Sequence, residues 1–298
     1  TGRVGWRKFG VPTSGAMDAF ALHAANLLAG NDPNSAAVEI GMGGIAFRAM
    51  RDCVVAVTGV GYALSVYIWD FPLWSSYYVR GGWTIRLDKL DSGMWAYLAV
   101  SGGVLTPPTL GSASTYLHGA FGGLDGRRLQ AGDVLRSGTP SRSLNNLAAR
   151  TLPAEAQPAY SDNPILDVIL GPQDEYFTDE SVETFFSSEY LVSPASDRMG
   201  YRLEGPALTH LGKTELLSEG MTMGAIQVPS SGQPIVMMAD SPTTGGYPKI
   251  GTVVSADLPL LAQCAPGRSR IRFRRTTVAK AQRKYREMMK GSERIVEE

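Results

Sequence analysis

Eight short runs of β-branched and aromatic residues, each closed by a turn, set the strongest limit on what this chain can become. They are VVAVTGV from Val54, ALSVYIW from Ala63, GWTIRL from Gly82, MWAYLAV from Met94, ILDVIL from Ile165, GAIQVP from Gly224, PIVMMA from Pro234 and RIRFRR from Arg270. Such side chains fit a pleated, half-buried surface, and short runs punctuated by turns have the spacing of barrels or sandwiches. The 34 glycines and 18 prolines among 298 residues supply the turns. Helical pattern is confined to residues 20–28, 181–186 and 258–264 and to the tail. The fold class is therefore mainly β with a few short helices.

The runs fall into two groups. Between them, SGTPSRSLNNLAARTLPAEAQPAYSDN from Ser137 is rich in Ser, Pro, Ala and Asn and has no period, which marks a linker. The preceding GGLDGRRLQAGDVL reads as a terminal hairpin of the first unit. The predicted organisation is a first β unit over 1–140, a linker over 141–163, a second β unit over 164–276 and a charged helix over 277–298. Ser14–Asp18, Glu39–Phe47 and Cys53–Val57 echo segments starting at Ser196, Glu219 and Ile235, offsets that stay near 180 residues and predict an internal duplication.

Charge and composition remove several classes of function. Lys plus Arg equals Asp plus Glu at 28 each, so no global field favours nucleic acid. No apolar run of spanning length appears, and a membrane is not expected. Cys53 and Cys264 sit in apolar runs as small hydrophobes, in keeping with a reducing, cytoplasmic location. His23, His118 and His210 stand apart, so no metal site is predicted. HLGKTEL at His210 lacks the leading glycine of a phosphate loop, and no Gly-x-Ser-x-Gly elbow is present.

The chemistry gathers in the stretch MADSPTTGGYPKIGT from Met238, where an apolar strand runs into a turn. Asp240 brings a carboxylate, Thr243 and Thr244 hydroxyls, Tyr247 a phenol and Lys249 a cation. Gly245 and Gly246 are expected to take positive φ and bring main-chain N–H groups to a ligand. A second segment, GVPTSGAMD from Gly10, leads into the first helix, where Ser14 or Asp18 is placed to cap the free N–H groups. Arg198 and Arg202 offer a planar donor fork for a carboxylate. The tail from Thr276, crowded with Lys280, Arg283, Lys284, Arg286 and Lys290, reads as a solvated helix, with docking onto a partner as the alternative.

GVPTSGAMD with Asn26, SGGVLTPPTLGSASTY from Ser101, GPQDEYFTDE from Gly171, SDRMGYRLEGP from Ser196 and TTGGYPKIGT from Thr243 occur in this order. Together they resemble the carboxyltransferase subdomain A and B family, also called allophanate hydrolase subunit 2, from the first residue to about Thr276. The family's usual leading strand and TVQDLGR-like segment are missing, so a fragment is expected, and Pro242 stands where the family commonly has Gln. The resemblance implies two cyclophilin-like β-barrel units.

For function it implies a subunit of an amide-processing enzyme. The first reading is the C-type subunit of a 5-oxoprolinase, opening 5-oxoproline to glutamate with ATP used by the complex. Its partners would be a B-type subunit of related fold, built from carboxyltransferase C and D subdomains, and a LamB-type subunit. The alternatives are the carboxyltransferase half-site of a biotin-dependent urea carboxylase, fed with carboxybiotin by a separate carrier, and a non-enzymatic antagonist of a kinase inhibitor. No covalently bound cofactor is expected on this chain. The candidate catalytic residues are Lys249, Asp240 and Asp18, and the candidate substrate-binding residues are Ser14, Asn26, Gln173, Arg198, Arg202, Thr243, Thr244, Gly245, Gly246 and Tyr247. In that scheme Lys249 and Arg198 hold an anionic group, Asp18 and Asp240 orient or deprotonate N–H groups, and Asn26 and Gln173 bond the urea-like part.

Overall fold

The structure is a computed structural model and describes residues 2–212 and 214–297. The chain divides into two compact units, one formed by Asp18–Ala159 with the last residues from Met288, the other by Arg3–Met17 with Tyr160–Glu287.

The first unit opens with helix α1, Ala19–Leu28, in which seven of ten residues are buried. Its start is fixed by the Asp18 side chain, which accepts a hydrogen bond from the Ala21 N–H at 2.9 Å. Strands β1 (Val38–Gly41), β2 (Ile45–Arg48), β3 (Cys53–Gly59), β4 (Tyr62–Val66), β5 (Trp69–Phe71), β6 (Ser75–Val79), β7 (Thr84–Lys89) and β8 (Trp95–Val100) follow. They make two sheets, β1-β8-β3-β6 continued by short edge strands, and β2-β7-β4-β5. Alternation along β4 and β7 sends Tyr62, Leu64, Val66, Ile85 and Leu87 into one core with Val55, Val57 and Leu98 of the other sheet. The four-residue helix α2 (Leu144–Leu147) and strand β9 (Arg150–Thr151) lie in the stretch expected to be a linker. That stretch is fastened along the unit, with the Ser76 hydroxyl bonded to the Leu147 carbonyl at 2.7 Å and the Leu152 N–H to the Trp74 carbonyl at 2.9 Å.

The GGLDGRRLQAGDVL segment is not the hairpin its turn residues predict. Gly122, Gly123, Asp125 and Gly126 all take positive φ, and the Asp133 carboxylate collects Arg127 and the Gln130 N–H. Local side-chain bonds thus replace the ladder.

The second unit closes a barrel. Its elements are β10 (Ile165–Leu170), α3 (Asp179–Ser187), β11 (Glu189–Val192), β12 (Gly200–Glu204), β13 (Glu219–Gly220), β14 (Ala225–Gln227), β15 (Ile235–Met237), β16 (Thr244–Gly245), β17 (Lys249–Val253), α4 (Leu258–Ala262), β18 (Arg270–Arg275) and, as far as Glu287, α5 (Val278–Ser292). The closed order is β10-β17-β14-β15-β12-β11-β18, with β10 and β18 parallel and every other pair antiparallel. RIRFRR shows why it closes: Ile271 and Phe273 are buried while its arginines lie outside, and Phe273 stacks on Phe185 of α3 at 4.5 Å. Each such apolar side chain contributes roughly 1.5–3 kcal/mol.

Helix α5 is largely solvated, as its composition predicts, with Ser292 its one buried residue, and it is pinned through one lysine. Lys284 reaches Asp167 on β10 and Asp257 before α4, both at 2.6 Å. A final strand, β19 (Val296–Glu297), pairs with β9. The 180-residue echo puts strand on strand at β3 and β15, whereas Asp18 precedes a helix and Gly200 opens a strand. Among the described residues no helix is long and apolar enough to cross a membrane.

Candidate functional site

The turn from Met238 to Lys249 leaves the barrel at the end of β15 and returns to it at β17, and its path is fixed from both sides. On one side β16 pairs with β13, placing Glu219 opposite Gly245 and Gly220 opposite Thr244. The Met221 N–H continues the contact to the Thr243 carbonyl at 2.9 Å, and the Leu216 N–H bonds the Gly246 carbonyl at 2.8 Å. On the other side lies the N-terminal loop, residues 3–17, which belongs to this same unit.

That loop supplies the first polar group. Ser14 has φ 54° and Gly15 φ 85°, so the chain turns sharply there, and the Ser14 N–H is held by the Ala239 carbonyl at 3.0 Å. A left-handed serine costs conformational energy and persists where its surroundings fix it. Arg198 provides that fixing: its Nε and Nη2 bind Asp240 at 2.8 and 3.1 Å, while Nη2 also donates to the Gly15 carbonyl at 2.7 Å. Asp240 is 2% exposed and Arg198 17%. Arg7 donates to the carbonyls of Met221 and Pro242 at 2.7 and 2.9 Å. Arg3 is fully buried, which lowers its pKa, against the Asp240 carboxylate that favours its charged form. The buried hydroxyls of Ser14 and Ser241 have no hydrogen-bond partner among the described residues.

The second polar group sits at the far end of the turn. The Lys249 ammonium bonds Glu219 Oε2 at 2.7 Å, and the Gln173 amide donates to the same oxygen at 2.8 Å. Gln173 Oε1 in turn accepts the Lys249 main-chain N–H at 3.1 Å, so one glutamine holds both members. Lys249 first, and then Gln173, keep the Glu219 carboxyl below its ordinary value, so it is ionised at neutral pH. Gln227 completes the group through its bond to the Tyr247 carbonyl at 3.3 Å.

The structure thus brings together Ser14, Arg198 and Asp240, and separately Gln173 and Lys249, with Thr243, Thr244 and Tyr247 on the turn between. It corrects several roles. Gly245 and Gly246 do not take positive φ; a Cβ on Gly245 would lie 2.3 Å from the Gln227 amide nitrogen, so close approach of that side chain is what favours glycine there. Arg198 is a brace rather than an open clamp, because its donors are engaged with Asp240 and Gly15. Arg202 is exposed on β12 between buried Tyr201 and Leu203, and forms no fork with Arg198. Asp18 is the fully buried cap of α1, its N–H bonded to the Tyr97 hydroxyl at 2.8 Å. Asn26 is equally buried and holds the loop after α1, donating to the carbonyls of Pro33 and Ser35 at 3.3 and 2.8 Å. Both belong to the first unit and have local structural duties. Sequence reasoning passed over Arg3, Arg7, Ser241, Gln227 and above all Glu219. The echo between Glu39 and Glu219 was the one signal pointing to the last. Among the described residues no group of three His, Cys, Asp or Glu is gathered as for a metal ion.

Comparison with known proteins places this architecture. The C-type subunit of 5-oxoprolinase from Haemophilus influenzae is 39% identical over 305 residues, taking in 100% of this chain and 94% of that protein. Its namesake from Escherichia coli is 38% identical over 268 residues, 89% of this chain and 84% of that one. Among solved structures, the urea carboxylase of Kluyveromyces lactis superposes with a TM-score of 0.91 at 28% identity, over 98% of this chain but 27% of the larger polypeptide. The sequence profile of the carboxyltransferase domain, subdomain A and B, matches residues 9–275, and the chain belongs to that family.

Proposed function

We propose that this chain is the C-type subunit of a cytoplasmic 5-oxoprolinase, and that with partner subunits it opens 5-oxoproline to glutamate at the expense of ATP. The observation that carries this reading is coextension: the H. influenzae 5-oxoprolinase subunit of this type aligns with all of this chain and over 94% of its own length. The free thiols Cys53 and Cys264 accord with a reducing compartment.

In this reading the turn from Asp240 to Lys249 is the amide-binding element. The Lys249 ammonium lies at its end and supplies positive charge where the amide oxygen gains negative charge as the ring C–N bond is cleaved. Arg198 and Asp240 keep the Ser14 loop against the start of the turn, where the buried hydroxyls of Ser14 and Ser241 lie. Neither Gly245 nor Gly246 is left-handed, so the turn itself does not form a phosphate cradle. ATP is then held by a partner subunit.

A second reading is favoured by the superposition on the K. lactis urea carboxylase at a TM-score of 0.91. The same turn would then bind urea, and carboxybiotin would come from a separate carrier. Co-expression with a B-type and a LamB-type subunit decides between them. ATP-dependent loss of 5-oxoproline without biotin upholds the first reading. Urea carboxylation that requires a biotinylated carrier replaces it with the second, and a stable complex that turns over neither refutes both in favour of a regulatory role.

A further inference from the structure

We propose that Glu219 is the substrate-binding residue that accepts the N–H of a planar amide at this site. The inference rests on the reading of the turn as an amide-binding element and adds to it a residue outside the expected set.

Four observations converge on this carboxylate. Both of its donors, Lys249 Nζ and Gln173 Nε2, fall on Oε2, and Oε1 has no partner among the described residues. Its side chain is 49% exposed, against 8% for Lys249, 2% for Asp240 and 17% for Arg198, so it is the most open member of the two ion pairs that flank the turn. Its backbone is fixed in the ladder opposite Gly245, which has no side chain to cover it. On the face those residues share, the Gln227 carboxamide occupies the space beside Gly245, adding a neutral donor and acceptor next to the charge.

The chemistry fits an N–C=O group. A carboxylate with one oxygen pinned by two donors and the other open accepts one N–H in a charge-assisted hydrogen bond. The neighbouring ammonium is placed for the carbonyl side of the same planar unit. A site built around such an acceptor discriminates strongly against an analogue that lacks the N–H, because the acceptor is then left unpaired. If Glu219 merely restrained Lys249, its loss would weaken every amide alike.

The test uses the assembled complex with 5-oxoproline as substrate and N-methyl-5-oxoproline as competitor. Wild type should bind the N–H compound at least about tenfold more tightly than the N-methyl one. Glu219→Ala should raise KM for 5-oxoproline by about the same factor and leave the N-methyl inhibition constant unchanged, with Glu219→Gln recovering part of the loss. An unchanged KM in Glu219→Ala, or an equal loss for both compounds, overturns the proposal. If the wild-type complex consumes neither 5-oxoproline nor urea, the functional reading falls separately. Ligand-observed NMR of the full chain with 5-oxoproline and with urea then decides the role of Glu219. Saturation transfer in wild type that is lost in Glu219→Ala upholds it, and equal transfer in both proteins, or none in wild type, overturns it.

Discussion

The two ion pairs that flank the turn, Arg198–Asp240 at its start and Lys249–Glu219 at its end, use similar groups at similar distances for different ends. Each has a contact near 2.8 Å, 2.8 Å in the first and 2.7 Å in the second. In the first the carboxylate is the buried member and the arginine bridges to Gly15, 183 residues away in sequence. In the second the cation is the buried member and half of the carboxylate faces water. Burial decides what a pair can do: a sealed pair fixes chain segments and is costly to break, whereas a pair with one open oxygen adds little to stability and keeps an acceptor available.

The sharpest way to break this comparison is to remove the sealed carboxylate. Asp240→Ala leaves Arg198 largely buried and Arg3 wholly buried without the charge that offsets them. We expect a loss of about 3 kcal/mol in chemical denaturation, the low end for a buried pair because Arg198 keeps some solvent contact. A midpoint like wild type would mean that the pair is not a brace. Lys249→Ala is the counterpart at the open end. Glu219 is half exposed and can be rehydrated, so the unfolding midpoint should stay close to wild type. Turnover by the assembled complex should fall about a hundredfold or more, equivalent to about 2.7 kcal/mol of barrier. Full activity in the folded variant would remove Lys249 from the site.

How much of this was legible beforehand differs between the two ends as well. Met238 to Thr252 could be recognised because the strand, the turn and the charged residues are contiguous, and the barrel strands because their apolar residues keep a local period. Glu219 was not legible as a site residue, since β13 is two residues long and exists through its pairing with Thr244–Gly245. Arg7 was hidden for the same reason: its partners Met221 and Pro242 lie 214 and 235 positions away, and no local pattern encodes them. The role of the paired glycines was misjudged because sequence shows that glycine is present but not whether φ or space requires it. At Gly15 it is φ; at Gly245 it is the Gln227 amide.

Gly245→Ala sharpens the comparison from the middle of the turn. The added methyl displaces the Gln227 amide, breaking its 3.3 Å bond to the Tyr247 carbonyl. We expect a destabilisation of about 1 kcal/mol, the ordinary worth of one such hydrogen bond. Gln227→Ala in the same background should make room for the methyl, so the double variant should cost no more than Gln227→Ala alone, measured by a double-mutant cycle. A cost that persists in the double variant would place the strain in the backbone instead.

The smallest effect is the most diagnostic of the open pair. Lys249 and Gln173 lower the Glu219 pKa, so the folded state binds that proton more weakly than the unfolded chain does. The pair therefore contributes its stability above the ordinary glutamate value, and the contribution fades as pH falls through the lowered folded value. Replacing Lys249 by Met removes the main cause of the shift, and the Glu219 titration, followed by carbon-13 NMR of its side-chain carboxyl, should move up toward the ordinary range. The loss of substrate affinity on acidification should move up with it, since an acceptor that takes a proton no longer receives an N–H. If the titration moves and the affinity profile does not, Glu219 is a partner of Lys249 and nothing more; if both move together, the exposed oxygen is what the substrate meets.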